Sequence, residues 1–202
     1  MSRRFTVRVI AAALALLIAS VAFLVYFESR CADLRANVLR LHILADSDSE
    51  YDQSMKLLLR DMIVSKSGEL FADSSDKQEA MRSAESRLGE LEELCADTLK
   101  EAGCTKTVSV SLGKSIFSTR TYGEYTLPAG EYDSLIVKIG SGEGKNWWCV
   151  LFPSICFPAA SEVTEEPDEF GEDGELVRQE EIEYRVGFRL VEIYWKIRGL
   201  FE

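Results

Sequence analysis

Three hydrophobic patterns succeed one another along the chain. Residues 9 to 27, VIAAALALLIASVAFLVYF, are a run of 19 without a charge. As a helix rising about 1.5 Å per residue this run measures roughly 28 Å, close to the hydrocarbon thickness of a membrane. After it, Val38, Leu39, Leu41, Ile43 and Leu44 form a short apolar run that ends in DSDSEYDQ, a strand delivering a polar loop. The period then becomes helical. Met55, Leu58, Leu59, Met62 and Ile63 make one stripe, opened by Ser47 with Glu50 or Ser49 with Asp52 at capping-box spacing. Gly68 to Asp76 is a break, after which Ser75 with Gln78 opens a second helical stretch. Its Met81, Ala84, Leu88, Leu91, Cys95 and Leu99 share a face until Gly103, as a long helical hairpin or a bent pair.

From Thr105 the period changes to two. Val108, Val110 and Leu112 alternate with polar residues, Gly113-Lys114 offers a turn into a strand over 116–125, and Leu135 to Ile139 reads as another strand. The simplest arrangement is an antiparallel meander. Trp147 to Phe152 carries no charge, as in a strand covered on both faces, with Trp147, Cys149 and Leu151 on one side and Trp148, Val150 and Phe152 on the other. Each tryptophan, when buried, removes roughly 150 to 250 Å² from water, so both are expected in the core. The chain closes with Leu190, Val191, Tyr194 and Ile197 at helical spacing, predicting a helix over 188–200.

Charge changes this picture in one place. The formal net charge is -11, but eleven acidic residues between Glu162 and Glu183 face only Arg178, so the remainder of the chain is nearly neutral. That segment is too polar to repay its ordering entropy and reads as a flexible insertion. No basic cluster exists to neutralise phosphates, which excludes nucleic acid as a partner. Arg3, Arg4 and Arg8 precede the long apolar run, placing the N-terminus in the cytoplasm and the body of the chain outside it. Ser20-Val21-Ala22 has signal-peptidase spacing, whereas Phe23 to Phe27 prolong the apolar run and favour an uncleaved anchor.

Candidate chemistry is sparse. His42 is the single histidine and is expected at a strand end; with Cys149 it would make the one conceivable nucleophile and base, for a cell-wall hydrolase, an envelope-binding module being the other alternative. Cys149 stands in an apolar run, which makes a thiol inert. Asp46, Asp48, Glu50 and Asp52 alternate as in a calcium loop, but Tyr51 stands where glycine is needed and Leu57 where an acid is needed. The five cysteines contain no CxxC pair, so no metal or other cofactor is expected. In an exported protein Cys149 with Cys156, or Cys95 with Cys104, can form a disulfide, the former being the first to test. Ser141 to Lys145 is glycine-rich but lacks a phosphate-loop ending and a following helix.

Two stretches, RLHILADSDSEYDQSMKLLLRDMIV from Arg40 to Val64 and LPAGEYDSLIVKIGSGEGKNWWCVLFPSICF from Leu127 to Phe157, together resemble the stage II sporulation protein R family. The resemblance covers about residues 36 to 160. It rests on Arg40-Leu41-His42, Ser47-Asp48-Ser49, Asp52-Gln53, Arg60-Asp61 and Asn146 to Cys149, with Asp46 and Lys145 as departures from the family's usual Asn and His. The resemblance implies a signalling protein, not an enzyme, exported from the forespore into the space between the two cell membranes. There it would be required for a membrane-embedded aspartic protease to process the sigma-E precursor. Arg40, His42, Asp46, Ser47, Asp48, Asp52, Lys145 and Asn146 are then the candidate partner-binding residues, and Trp147, Trp148, Cys149 and Cys156 the structural ones.

The expected architecture is α+β: a single domain with a mostly antiparallel sheet of four or five strands packed against helices, behind one N-terminal membrane-spanning or signal helix. The expected divisions are a basic leader at 1–8, the apolar segment at 9–27, a core domain at 36–160, the acidic insertion at 161–183 and a helical segment at 184–202.

Overall fold

The computed structural model describes residues 3–122, 125–153 and 182–198. A long helix α1 (Arg3–Ala36) leads into strand β1 (Leu39–Leu44). Helices α2 (Glu50–Leu70), α3 (Lys77–Ser86) and α4 (Leu88–Glu101) follow. Strands β2 (Val108–Phe117), β3 (Arg120–Tyr122), β4 (Tyr125–Leu127), β5 (Gly130–Ile139) and β6 (Asn146–Phe152) come next, then helix α5 (Ile182–Arg198). The class is the α+β arrangement that the periodicity predicts.

The four-stranded sheet has the order β2-β5-β1-β6, with β1 parallel to β5 and the other pairings antiparallel. The meander expectation is therefore corrected. The chain returns through three helices before β5 is laid beside β1, and a parallel pair requires such a crossover. The expected turn at Gly113-Lys114 does not form either. β2 runs straight through it, Gly113 pairing with Ser134 and Lys114 with Asp133. A Cβ on Gly113 would lie 3.1 Å from Ile136 Cδ1, so this glycine serves close cross-strand packing. Of the strand expected over 116–125, Ile116 and Phe117 end β2, Arg120–Tyr122 form β3, and Tyr125 opens β4, which pairs antiparallel with β3.

Helix boundaries follow local chemistry. Ser49 caps α2, its hydroxyl accepting from Asp52 N at 3.1 Å. α2 extends through Gly68 to Leu70, beyond the expected break. The α3 cap is Asp76, which accepts from Glu79 N at 2.8 Å while Glu79 reaches back to Ser75 N at 2.9 Å, a capping box one residue later than the sequence pattern places it. α3 and α4 form the bent pair, broken at Arg87. Gly103, with φ of +76°, ends α4 and lets Cys104 N reach Leu99 O at 2.8 Å.

Two cores result. On one sheet face Leu39, Leu41, Ile43, Leu135 and Val137 pack against Leu59, Ile63, Ala84, Leu91, Cys95 and Leu99 of α2, α3 and α4. On the other face Val38, Phe117, Tyr132 and Val150 meet Phe27, Cys31 and Leu34 of α1, Leu127 of β4, and Phe188 and Val191 of α5. Trp147 packs against the first core and Trp148 against the second, as strand alternation predicts, but both are half-buried instead of enclosed. Each lies under an arginine on its open side: Arg60 stands 4.6 Å from the Trp147 ring and Arg120 4.6 Å from Trp148. Phe152 departs from the alternation. The β1–β6 register slips between Leu39 and Arg40, so Phe152 joins Leu151 on the first core, 6.4 Å from Phe71.

Cys95 and Cys104 are free and buried, which corrects that disulfide option; burial pushes the Cys95 thiol up to about 12. Cys149 is disulfide-bonded, and Cys156 lies outside the described residues. So does the acidic segment at 161–183, except its last two residues, which open α5 six positions before the expected start at 188.

Candidate functional site

Because β1 and β5 are parallel, both deliver their C-terminal ends to one edge of the sheet, and β6 starts from that same edge. The loop from Ala45 to Ser49 and the loop from Gly140 to Lys145 therefore meet there, although nearly a hundred residues separate them. They are fastened to each other by one backbone pair and three bonds between side chain and backbone. Gly144 N donates to Ala45 O at 2.8 Å, Lys145 N to Asp48 Oδ1 at 2.7 Å, and Ser141 N to Asp46 Oδ1 at 2.6 Å; the Ser141 hydroxyl donates to Asp46 O at 2.9 Å. The glycines permit the approach. A Cβ on Gly144 would lie 2.3 Å from Ser47 O, and Gly140, at φ +55°, backs onto Asp46.

Beneath the loops lies a charged knot. Lys106 donates to Asp46 and to Asp52 Oδ1, the second contact at 2.6 Å. Asp52 also accepts from Ser47 and from Ser49 Oγ, the latter at 2.9 Å. Lys56 donates to Lys145 O at 3.0 Å and to Gln53 Oε1 at 2.5 Å, and Gln53 Nε2 donates to Ser47 O at 2.9 Å. Hydrogen bonding to Lys106, assisted by Ser141, holds the Asp46 carboxyl down at about 2. Asp52 is lowered by Lys106 and then Ser47, and Lys106 is raised above the ordinary lysine value by its two partners. Two of the alternating acids, Asp46 and Asp52, thus neutralise a lysine from another part of the chain. Among the described residues no group of three or more His, Cys, Asp or Glu is placed to hold a metal ion.

What this edge presents outward is narrower than the sequence expectation. The side chains of Lys145 and Asp48 are 74% and 57% exposed, and Asn146 is exposed beside them. Asp46 and Ser47 are half-buried. Asp52 is 4% exposed and turns inward to Lys106, so it supports the rim without reaching a partner.

Arg40 is fully enclosed in the second core, a correction to its place among contact residues. Its guanidinium lies 4.0 Å from the Phe117 ring, 4.9 Å from Tyr132 and 5.4 Å from Tyr122; Nε donates to Cys149 O at 3.3 Å, and Nη2 donates to the Tyr122 hydroxyl. Burial pulls its pKa down, opposed by the two tyrosines. His42 sits within β1, not at its end. It is half-buried between Phe117 and Trp148, with Nδ1 at 3.2 Å from Ser115 Oγ, and burial lowers its pKa against a smaller opposing effect of Asn146. The Cys149–His42 pair required by a hydrolase is not assembled. Cys149 is in a disulfide and packs in the first core, while His42 faces the second. Sequence reasoning missed Lys106 and Lys56 altogether. The aromatic cage of Arg40 had a single signal, one charge inside the apolar strand LRLHIL.

The family model of stage II sporulation protein R matches residues 35–162. The chain belongs to the stage II sporulation protein R family. That span contains both rim loops and Lys106, so the cross-locked edge is built wholly from the family region, and the family gives the chain a role in sporulation. Stage II sporulation protein R of Bacillus subtilis (strain 168) is 40% identical over 119 residues, which are 59% of this chain and 53% of that protein. The match therefore spans about half the length of this curated relative. No solved structure matches the chain. α1, outside most of the family region, is long and apolar enough to cross a membrane or to serve as a signal sequence.

Proposed function

We propose that this chain is an exported sporulation signal whose extracytoplasmic domain switches on a membrane-embedded aspartic protease, so that the sigma-E precursor is processed in the mother cell. The observation carrying this reading is the rim: two distant segments of the family region are locked by a backbone pair and by bonds between side chain and backbone into one edge that presents Asp48, Lys145 and Asn146. Such an edge is ordered before a partner arrives, which limits the ordering entropy that binding must offset. A ligand of this kind activates by binding the protease's active state more tightly than its inactive state. Co-expression with the protease and the sigma precursor is expected to yield cleaved precursor, and Lys145→Glu to reduce that cleavage. Equal processing with and without this chain would refute the reading.

A further inference from the structure

The second core covers its face of the sheet only in part. Val38, Tyr132 and Val150 pack there with α1 and α5. His42 pairs with Ile136 of β5 and with Trp148 of β6, and strand partners share a face, so this row and Leu44, two residues further along β1, point the same way. Leu44 and Ile136 belong to neither core, and all four side chains are half-buried. A largely apolar strip of sheet is thus left open between the second core and the rim.

At the β6 end of this strip, positive charge gathers with no acid to meet it. Arg120, exposed on β3, lies 4.6 Å from the Trp148 ring. Arg40 lies behind: its Nη2 donates to the Tyr122 hydroxyl, which in turn donates to Trp148 O at 3.2 Å. Neither arginine has a carboxylate partner among the described residues. Both are close enough to Tyr122 to act on its pKa, which burial raises and the two guanidiniums oppose. Donors are unanswered here as well. Arg40 Nη1, Trp148 Nε1 and the hydroxyl of Thr119, the residue before Arg120, are buried without a hydrogen-bond partner. Enclosed cations without anions and buried donors without acceptors both cost free energy, and this fold keeps them side by side.

A carboxylate satisfies both deficits. Its two oxygens match the guanidinium fork and retain lone pairs for an indole N–H. Arg120 is the exposed member, and an exposed side chain changes rotamer within nanoseconds, so it can turn to a ligand and uncover the indole edge. Arg40 stays enclosed and acts through the low-dielectric interior as a fixed positive charge. Leu44 and Ile136 add an apolar floor that a peptide side chain fills and a small free anion does not. We propose that Arg120 and Trp148 bind a carboxylate on an extended peptide segment of a partner protein, that Arg40 supports it electrostatically from behind, and that Leu44 and Ile136 receive the apolar residue beside it. The site is the same whichever protein supplies the segment, so it is independent of protease activation.

The test is nuclear magnetic resonance of the 15N-labelled full chain in zwitterionic detergent, following the Trp148 indole N–H, identified by its loss in Trp148→Phe. The probes are a capped tripeptide with glutamate between two leucines, the same peptide with glutamine, and acetate and inorganic phosphate alone. The glutamate peptide is expected to shift the Trp148 resonance saturably and to bind about tenfold more tightly than the glutamine peptide, as one charge-assisted contact requires. Arg120→Gln and Arg40→Met are each expected to weaken the glutamate peptide by about the same factor. Lys114→Gln, which removes an exposed lysine paired with Glu131 on the other face of the sheet, is expected to leave its affinity unchanged. Equal affinity for the two peptides, or wild-type affinity in either arginine variant, overturns the proposal. So does acetate or phosphate binding as tightly as the glutamate peptide, which would assign the site to free anions.

Discussion

At the scale of single residues, the consequential side chains are the charges that sit where the sequence pattern places apolar or solvated groups. Arg40 is enclosed by Phe117, Tyr122 and Tyr132 with no carboxylate on its guanidinium among the described residues. Desolvating a charge in this way is costly even with aromatic faces around it, and apolar replacements of similar volume at buried charges are often neutral or stabilising by about 1–4 kcal/mol. Arg40→Met is accordingly expected to keep or raise the denaturation midpoint. Arg40→Ala, which leaves an unfilled space between the rings, is expected to lose about 2–5 kcal/mol; chemical denaturation of the two variants separates these effects. Lys106 gives a second prediction. Asp46 ionises in the fold at about 2 and Asp52 is also depressed, against about 3.9 for an unfolded aspartate. Their contribution is therefore present in full above that unfolded value and is lost as pH falls through the folded one. The matching contribution of Lys106, whose pKa is raised, is present below about 10.4 and fades only as pH rises beyond it. Lys106→Met is expected to lower the melting temperature at neutral pH and to flatten the decline between pH about 4 and about 2, as thermal melts across that range will show.

At the scale of elements, the rim depends on two loops that fit only because residues without side chains stand at their crossing. Gly144→Ala places a methyl group against the Ser47 carbonyl, which is backbone and has nowhere to move. The variant is expected to break the Gly144–Ala45 hydrogen bond and to speed amide hydrogen exchange at Gly144 and Lys145, while β2 and β5 retain their protection. Helices and strands with strong periodicity were legible in advance, because burial of one face acts on every repeat of the pattern. The errors share a cause. Gly113-Lys114 has the composition of a turn, yet β5 offers ten residues for pairing and the ladder continues through it. The α3 cap and the Phe152 bulge each depend on a shift of one residue, which local propensity cannot distinguish.

At the scale of the molecule, the sheet separates two cores with different attachments. One is closed by helices of the family region; the other recruits α1 and α5, which lie outside most of that region. The exposed side chains of the rim contribute little to either core. Lys145→Glu and Asn146→Ala are therefore expected to change stability by no more than about 0.5 kcal/mol. Under the proposed function they lower precursor processing at unchanged protein level, measured by immunoblot of both proteins. Loss of processing that tracks loss of soluble protein would count against the rim as the contact surface.

The sequence by itself determined the class of the fold, the apolar N-terminal segment, a capping box at the start of α2 as one of two alternatives, the stop at Gly103, the opposed faces of Trp147 and Trp148, and the family, since each is written in local spacing or in a contiguous motif. Only the tertiary structure decided that Arg40 and Asp52 face inward, that Cys149 and His42 lie on opposite sides of the sheet, that Lys106 joins the acidic loop, and that Phe27 serves the domain. Those facts depend on which strand lies beside β1. That choice is made by long-range pairing and burial between residues far apart in the chain, and no local pattern records it.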